Sequence, residues 1–134
     1  MQSERAMEPA RKKILIVDDD EPTARLLARF MRDYEVAVAS DGAAGLARAI
    51  EFRPDLVITD MWMPKLDGIE MTRALKDDPV LRHVPVIVLT AITDGPHVAA
   101  CIAAGAQNFL AKPVAIDQLL RIVRRKLGPG TAPT

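Results

Sequence analysis

A chain of 134 residues favours one domain large enough to bury a real core, and 49% hydrophobic with 27% charged residues is ordinary for a globular fold. Lys plus Arg and Asp plus Glu both total 18, so bulk charge makes no case for direct nucleic-acid or membrane binding. The single Cys101 excludes an internal disulfide, no cysteine cluster suits a metal, and no apolar stretch approaches the roughly 20 residues that span a bilayer. The polar start lacks the apolar core of a signal peptide, so a cytoplasmic protein is the default expectation.

Residues 1–11 show no periodicity and read as a flexible leader. Lys13-Ile14-Leu15-Ile16-Val17 is a short β-branched, apolar run, the first strand, and it stops in Asp18-Asp19-Asp20. Glu21 to Asp33 reads as a helix with Asp20 as N-cap and Pro22 in the first turn. Leu26, Leu27 and Phe30 are expected on its inner stripe, with Arg25, Arg29 and Arg32 outside. Tyr34 to Ala39 predicts a weaker, edge strand. Asp41-Gly42 marks a turn, and an alanine-rich helix follows over Ala43 to Phe52, closed by Pro54. Gly45 within it should cost about 1 kcal/mol against alanine.

Asp55 to Asp60 carries the third strand, apolar enough to be buried on both faces, and Met63-Pro64 ends the extended run. Asp67-Gly68-Ile69-Glu70 has the spacing of a capping box opening a third helix, which Asp78-Pro79 ends. Val86 to Thr90 predicts a fourth strand, with Pro85 at its permitted first position. Asp94-Gly95-Pro96 opens a fourth helix and Gly105 suits its stop. Asn108-Phe109-Leu110 is a short fifth strand. Val114 to Leu127 is the last helix, with Ile116, Leu119, Leu120 and Val123 inward; residues 128–134 read as a flexible tail or the start of a linker. Five alternations of strand and helix imply a doubly wound (βα)5 α/β fold, its sheet parallel with helices on both faces.

In such a sheet, ligands bind outside the carboxyl ends of the strands. Asp18 and Asp19 follow the first strand, Asp60 ends the third, Thr90 ends the fourth and Lys112 follows the fifth. Two carboxylates about 4 Å apart repel by roughly 4 kcal/mol at an effective dielectric of 20. Three crowded acids therefore need either a raised pKa or a cation, and a few hard oxygen donors with room for water suit Mg²⁺. An aspartate beside such an ion can attack phosphorus to give an aspartyl phosphate, with an ammonium such as Lys112 balancing charge and a Thr90 hydroxyl donating to the bound group.

The sequence resembles the receiver domain of bacterial two-component response regulators, of the chemotaxis-regulator kind, over residues 12–127. The motifs that carry the likeness are Ile14-Leu15-Ile16-Val17-Asp18-Asp19-Asp20-Glu21, Val57-Ile58-Thr59-Asp60-Met61-Trp62-Met63-Pro64, Asp67-Gly68, Val88-Leu89-Thr90-Ala91 and Lys112-Pro113. The resemblance implies flavodoxin-like strand order 2-1-3-4-5 and a phosphorylation-activated switch. It makes Asp60 the phosphoacceptor and places Mg²⁺, or another divalent such as Mn²⁺, on Asp18, Asp19, Asp60 and the Trp62 backbone carbonyl. Lys112 would contact the phosphoryl group, Thr90 and Phe109 would be the switch residues, and Lys112-Pro113 would be cis. Phosphate would come from a histidine kinase or phosphotransfer protein. Output would run through the face of the fourth helix, fifth strand and fifth helix, to a protein partner or to an effector domain absent from this chain. The domain would be a monomer, or a phosphorylation-dependent dimer through that face, and not a dedicated enzyme.

Four positions depart from the commonest pattern. Phe109 lacks a phenolic oxygen, Trp62 is large for the pocket rim, Ile92 is apolar, and Val114-Ala115 leaves the last helix without a side-chain cap. Trp62 and Ile92 together are expected to screen the acyl phosphate from water, with phosphate loss in Trp62→Asn as the test. Trp62 as a partner-contact anchor is the equal alternative. Taken singly, Thr90 could be an ordinary strand residue and Lys112 a surface lysine. Arg121, Arg124, Arg125 and Lys126 read as a solvated helix face, Cys101 as a small buried residue. His83 and His97 have no spacing for metal or catalysis. The competing class is a phosphatase whose aspartyl nucleophile would be Asp18; a nucleotide-binding module lacks its glycine-rich loop.

Overall fold

The three most fully buried strands lie at the centre of one five-stranded parallel sheet of order β2-β1-β3-β4-β5. This computed structural model describes residues 11–63, 65–91 and 94–130; expectations for residues 1–10, Pro64, Ile92 and residues after Gly130 lie outside them. In chain order the elements are β1 (Lys13–Val17), α1 (Glu21–Phe30), β2 (Glu35–Ala39), α2 (Gly42–Phe52), β3 (Leu56–Asp60), α3 (Gly68–Asp77), β4 (Val86–Thr90), α4 (Gly95–Ala104), β5 (Asn108–Ala111) and α5 (Ile116–Leu127). The doubly wound order expected from the resemblance is the one observed, and β2 is an edge strand as its weaker run suggested.

Period-two alternation divides the core into two layers. Ile14, Ile16, Ile58, Ile87 and Leu89 point to the side covered by α1 and α5 through Leu27, Met31, Leu119 and Val123. Leu15, Val17, Val57, Val86 and Val88 point to the side of Ala49, Met71, Leu75 and Leu81. Both faces of β3 and β4 are therefore buried, which is why those strands read as unbroken apolar runs.

The helix starts follow their caps. Asp20, Asp41, Asp67 and Asp94 each accept a backbone N–H from the residue three further on. Asp67 and Glu70 complete the capping box reciprocally. The last helix begins at Ile116 behind Ala115, with no side-chain cap, as Val114-Ala115 implied.

Two details of α1 differ from expectation. It ends at Phe30 rather than Asp33, where the Met31 N–H bonds back to Leu27 and Ala28. Leu26 and Phe30 are not inward: they are 50% and 47% exposed, and Ala24, Leu27 and Met31 fill the inner face. Leu26 and Phe30 are four apart and so share a face, but that face is about 100° from the stripe that meets the sheet. In α5, Leu119, Ile122 and Val123 are buried, while Ile116 and Leu120 pack on the core only in part.

Gly45 has a packing reason that propensity alone could not supply. A Cβ there would lie 2.9 Å from both Val17 methyls and from the Met71 sulfur, so α2 presses directly on β1 and α3. Gly45→Ala should therefore lose stability on balance, because overpacking of about 1–3 kcal/mol exceeds the roughly 1 kcal/mol gained in helix propensity. Thermal unfolding should show a Tm lowered by a few degrees; an unchanged or higher Tm would mean that α2 yields.

Candidate functional site

Strand register brings the polar groups to one edge. Val17 pairs with Thr59, so Asp18 comes level with Asp60. Asp60 pairs with Leu89 and Thr90 with Ala111, so Thr90 and Lys112 fall one or two residues beyond on the other side. The Lys112 N–H bonds to the Thr90 carbonyl at 2.9 Å, which fixes the β5 exit against β4. The expected cis bond is present at Lys112-Pro113. Asp18, Asp19, Asp60, Thr90 and Lys112, spread over about a hundred residues of sequence, thus gather where the fold places ligands.

The carboxylates are close enough to share a ligand. Asp18, Asp19 and Asp60 each offer an oxygen, and these lie within 4.8 Å of one another. Asp18 and Asp60 are buried and Asp19 is exposed, so the cluster opens to solvent on the Asp19 side. Asp60 Oδ1 accepts the Met61 N–H at 2.9 Å and stands 3.1 Å from Lys112 Nζ. Asp18 Oδ1 accepts the Asp20 N–H at 2.9 Å. Its Oδ2 is buried and without a hydrogen-bond partner among the described residues, with Lys112 Nζ 3.8 Å away, too far for such a bond. Asp20 is not part of the site: it caps α1 and accepts from the Thr23 N–H and hydroxyl.

An orphaned buried carboxylate oxygen beside two further carboxylates, against one ammonium, fits a hard divalent cation. Asp18 carries the same information in its titration. Burial, first, raises its carboxyl above the ordinary value of 3.8, with Asp60 and Asp19 adding to the rise; the Asp20 N–H and Lys112 oppose it. A folded pKa above the unfolded one gives stability that is complete below 3.8 and is lost as pH rises through the folded value. Asp18→Asn should therefore be more stable than the parent at pH 7 in EDTA, with the gap closing as pH falls toward 4. Urea denaturation at several pH values checks this, and a variant weaker at pH 7 would reverse the assignment.

Thr90 is buried at the end of β4, its hydroxyl 3.5 Å from the Met61 sulfur. Phe109 is 36% exposed on the edge strand β5. Trp62 follows the end of β3 and is 50% exposed. The ring packs on His97 in T-shaped fashion, with centroids 5.9 Å apart and planes at 69°. His97 Nδ1 in turn lies 2.7 Å from Asp94 Oδ1. Sequence spacing missed this pair, because 35 residues separate them and only the adjacency of the β3 and β4 exits joins them. The partner proposed for Trp62, Ile92, lies outside the described residues. Cys101 is buried as expected, and burial holds its thiol protonated by raising its pKa. Arg121, Arg124, Arg125 and Lys126 are all exposed.

Fold and site together define a doubly wound domain whose carboxyl edge holds an acidic pocket with a lysine set into it. Residues 14–124 match the family described as response regulator receiver domain, and the chain belongs to that family, a domain of two-component systems. It is 41% identical over 114 residues to the response regulator PleD of Caulobacter vibrioides, covering 84% of this chain and 25% of that protein. It is 37% identical over 123 residues to the DNA-binding response regulator MtrA of Mycobacterium tuberculosis, covering 90% and 53%. The chain thus spans a quarter to about half the length of these relatives.

Among solved structures, chemotaxis protein CheY4 of Vibrio cholerae superposes with a TM-score of 0.83 at 32% identity, covering 88% of this chain and 100% of that one. The receiver domain of a sensor histidine kinase from Pseudomonas aeruginosa gives 0.80 at 32% identity, covering 90% and 100%. That structure holds a magnesium ion in its active site cleft. Among the described residues of this chain no helix is long and apolar enough to cross a membrane.

Proposed function

We propose that this receiver takes a phosphoryl group onto Asp60 and converts it into altered partner binding. The observation that carries the reading is the meeting of Asp18, Asp19 and Asp60 with Lys112 Nζ, 3.1 Å from the Asp60 carboxylate. Asp60 Oδ1 is engaged by Met61 and Lys112, so Oδ2 is assigned as the nucleophile. It attacks phosphorus of a phosphohistidine on a kinase or phosphotransfer partner. The P–O bond forms as the P–N bond breaks, and the departing imidazole takes a proton from solvent. Lys112 offsets charge on the phosphoryl oxygens, and Thr90 turns its hydroxyl toward the new group.

Asp18, Asp19, Asp60 and the Trp62 carbonyl are assigned to hold Mg²⁺ or Mn²⁺, with Asp18 Oδ2 the buried oxygen that most needs one. When bound, the ion would neutralise the crowded carboxylates and the phosphoryl oxygens. Phosphorylation then shifts an existing equilibrium at the α4-β5-α5 face, with Phe109 coupled to Thr90 through packing. Residues 12–127 are the proposed unit, and the output goes to a protein partner or to an effector domain.

Incubation with Mg²⁺ and a small phosphodonor, then mapping of the modified residue, tests the assignment. Label on Asp60 supports the receiver, whereas label on Asp18 makes the domain an aspartyl-nucleophile phosphatase. Asp18 is poorly placed for that role, being 2% exposed with Oδ1 already held by the Asp20 N–H.

A further inference from the structure

Trp62, the one tryptophan in the sequence, is held from the far side of the pocket. The residue before it is fixed by two backbone bonds: the Met61 N–H reaches the Leu89 carbonyl at 3.0 Å, and the Gly68 N–H reaches the Met61 carbonyl at 2.8 Å. Trp62 itself, half-exposed, stands beyond the last pair of β3, and its indole meets His97 in the first turn of α4. His97 is anchored in its turn by one oxygen. Asp94 Oδ1 accepts the His97 backbone N–H at 2.9 Å and lies 2.7 Å from Nδ1. That acceptor fixes which ring nitrogen bears hydrogen and which way the ring faces. The result is a chain of three residues, Asp94, His97 and Trp62, running from the cap of α4 to the loop that follows Asp60.

We propose that His97 is a positioning residue for the metal side of the site, acting through Trp62. The inference rests on the receiver reading above, which assigns the Trp62 carbonyl as a ligand. An indole pinned by His97 limits the torsions open to its own backbone and so presents that carbonyl in one orientation. Divalent binding therefore favours the pinned state, and by linkage the pinned state favours binding to the same degree. The same contact makes the start of α4 and the acidic pocket a single mechanical unit, although β4 separates them in sequence.

Excited at wavelengths too long for Tyr34 to absorb, intrinsic fluorescence reports this contact without interference, since Trp62 is the one tryptophan. In the EDTA-stripped full chain, His97→Ala should red-shift the emission and lower its anisotropy, because the ring gains water and freedom. Titration with Mg²⁺ should show a dissociation constant raised about three- to tenfold, the size of one aromatic contact. Phosphoryl uptake at saturating Mg²⁺ should equal the parent's. His97→Phe, which keeps an aromatic edge, should recover most of the affinity, and His83→Ala should match the parent throughout. If His97→Ala leaves both emission and Mg²⁺ affinity unchanged while the parent binds metal and is phosphorylated on Asp60, the positioning role is overturned and the receiver reading stands. If the parent binds no Mg²⁺, the receiver reading itself fails and takes this role with it.

Discussion

Asp60→Asn should take up no phosphoryl group from a small donor with Mg²⁺, a loss of about three orders of magnitude or more. The amide has no anionic oxygen to attack phosphorus, yet its Oδ1 still accepts the Met61 N–H that the carboxylate accepts at 2.9 Å. The fold should therefore survive, and circular dichroism should match the parent. Lys112→Ala separates positioning from nucleophilicity. It keeps Asp60 but removes the ammonium 3.1 Å away, and uptake should fall by about 10²–10³ rather than vanish. Both variants are read by phosphate incorporation in one assay. Equal residual uptake in Asp60→Asn and the parent would move the phosphoacceptor elsewhere.

Gly68→Ala should cost about 2–3 kcal/mol, a fall in Tm of roughly 7–11 °C, and should slow phosphorylation as well. A Cβ at this position would lie 2.3 Å from the Asp60 carbonyl oxygen and 3.1 Å from the Met61 Cα. Those atoms are backbone at the carboxyl end of the central strand and cannot swing aside. The Gly68 N–H also bonds to the Met61 carbonyl at 2.8 Å, so α3 begins in contact with β3. Relief of the clash must move either the α3 start or the peptide that carries Asp60. Differential scanning calorimetry with parallel phosphorylation rates distinguishes this from Gly45→Ala, which should lose stability while leaving the rate intact. A Gly68→Ala protein with parental Tm and rate would show that the α3 start is compliant.

The candidate site was legible where the chemistry sits at strand ends. Asp18, Asp60 and Thr90 each follow an apolar run, and a run of four β-branched or aliphatic residues in an α/β pattern has few places to go other than a parallel strand. Side-chain phase on a helix was harder to read. Leu26 with Phe30 and Leu27 with Met31 are equally good pairs four apart, and only the seat of α1 on Ile14 and Ile16 chooses between them. Gly45 looked like a weakness by propensity. The space left by Val17 and Met71 explains it, and no local rule contains that space.

Taken by itself, the sequence determined the element order, the capped helix starts and the set of acids and lysine destined for one sheet edge. These follow from periodicity, capping chemistry and the rule that strands of a parallel sheet share a direction, all of which act over a few residues or fix topology outright. The tertiary structure alone decided that Asp18 Oδ2 is buried without a hydrogen-bond partner among the described residues, that Lys112 reaches Asp60 more closely than Asp18, and that Trp62 meets His97. Distances of a few ångströms between residues far apart in the chain depend on register and helix seating together. No local stretch of sequence specifies that sum.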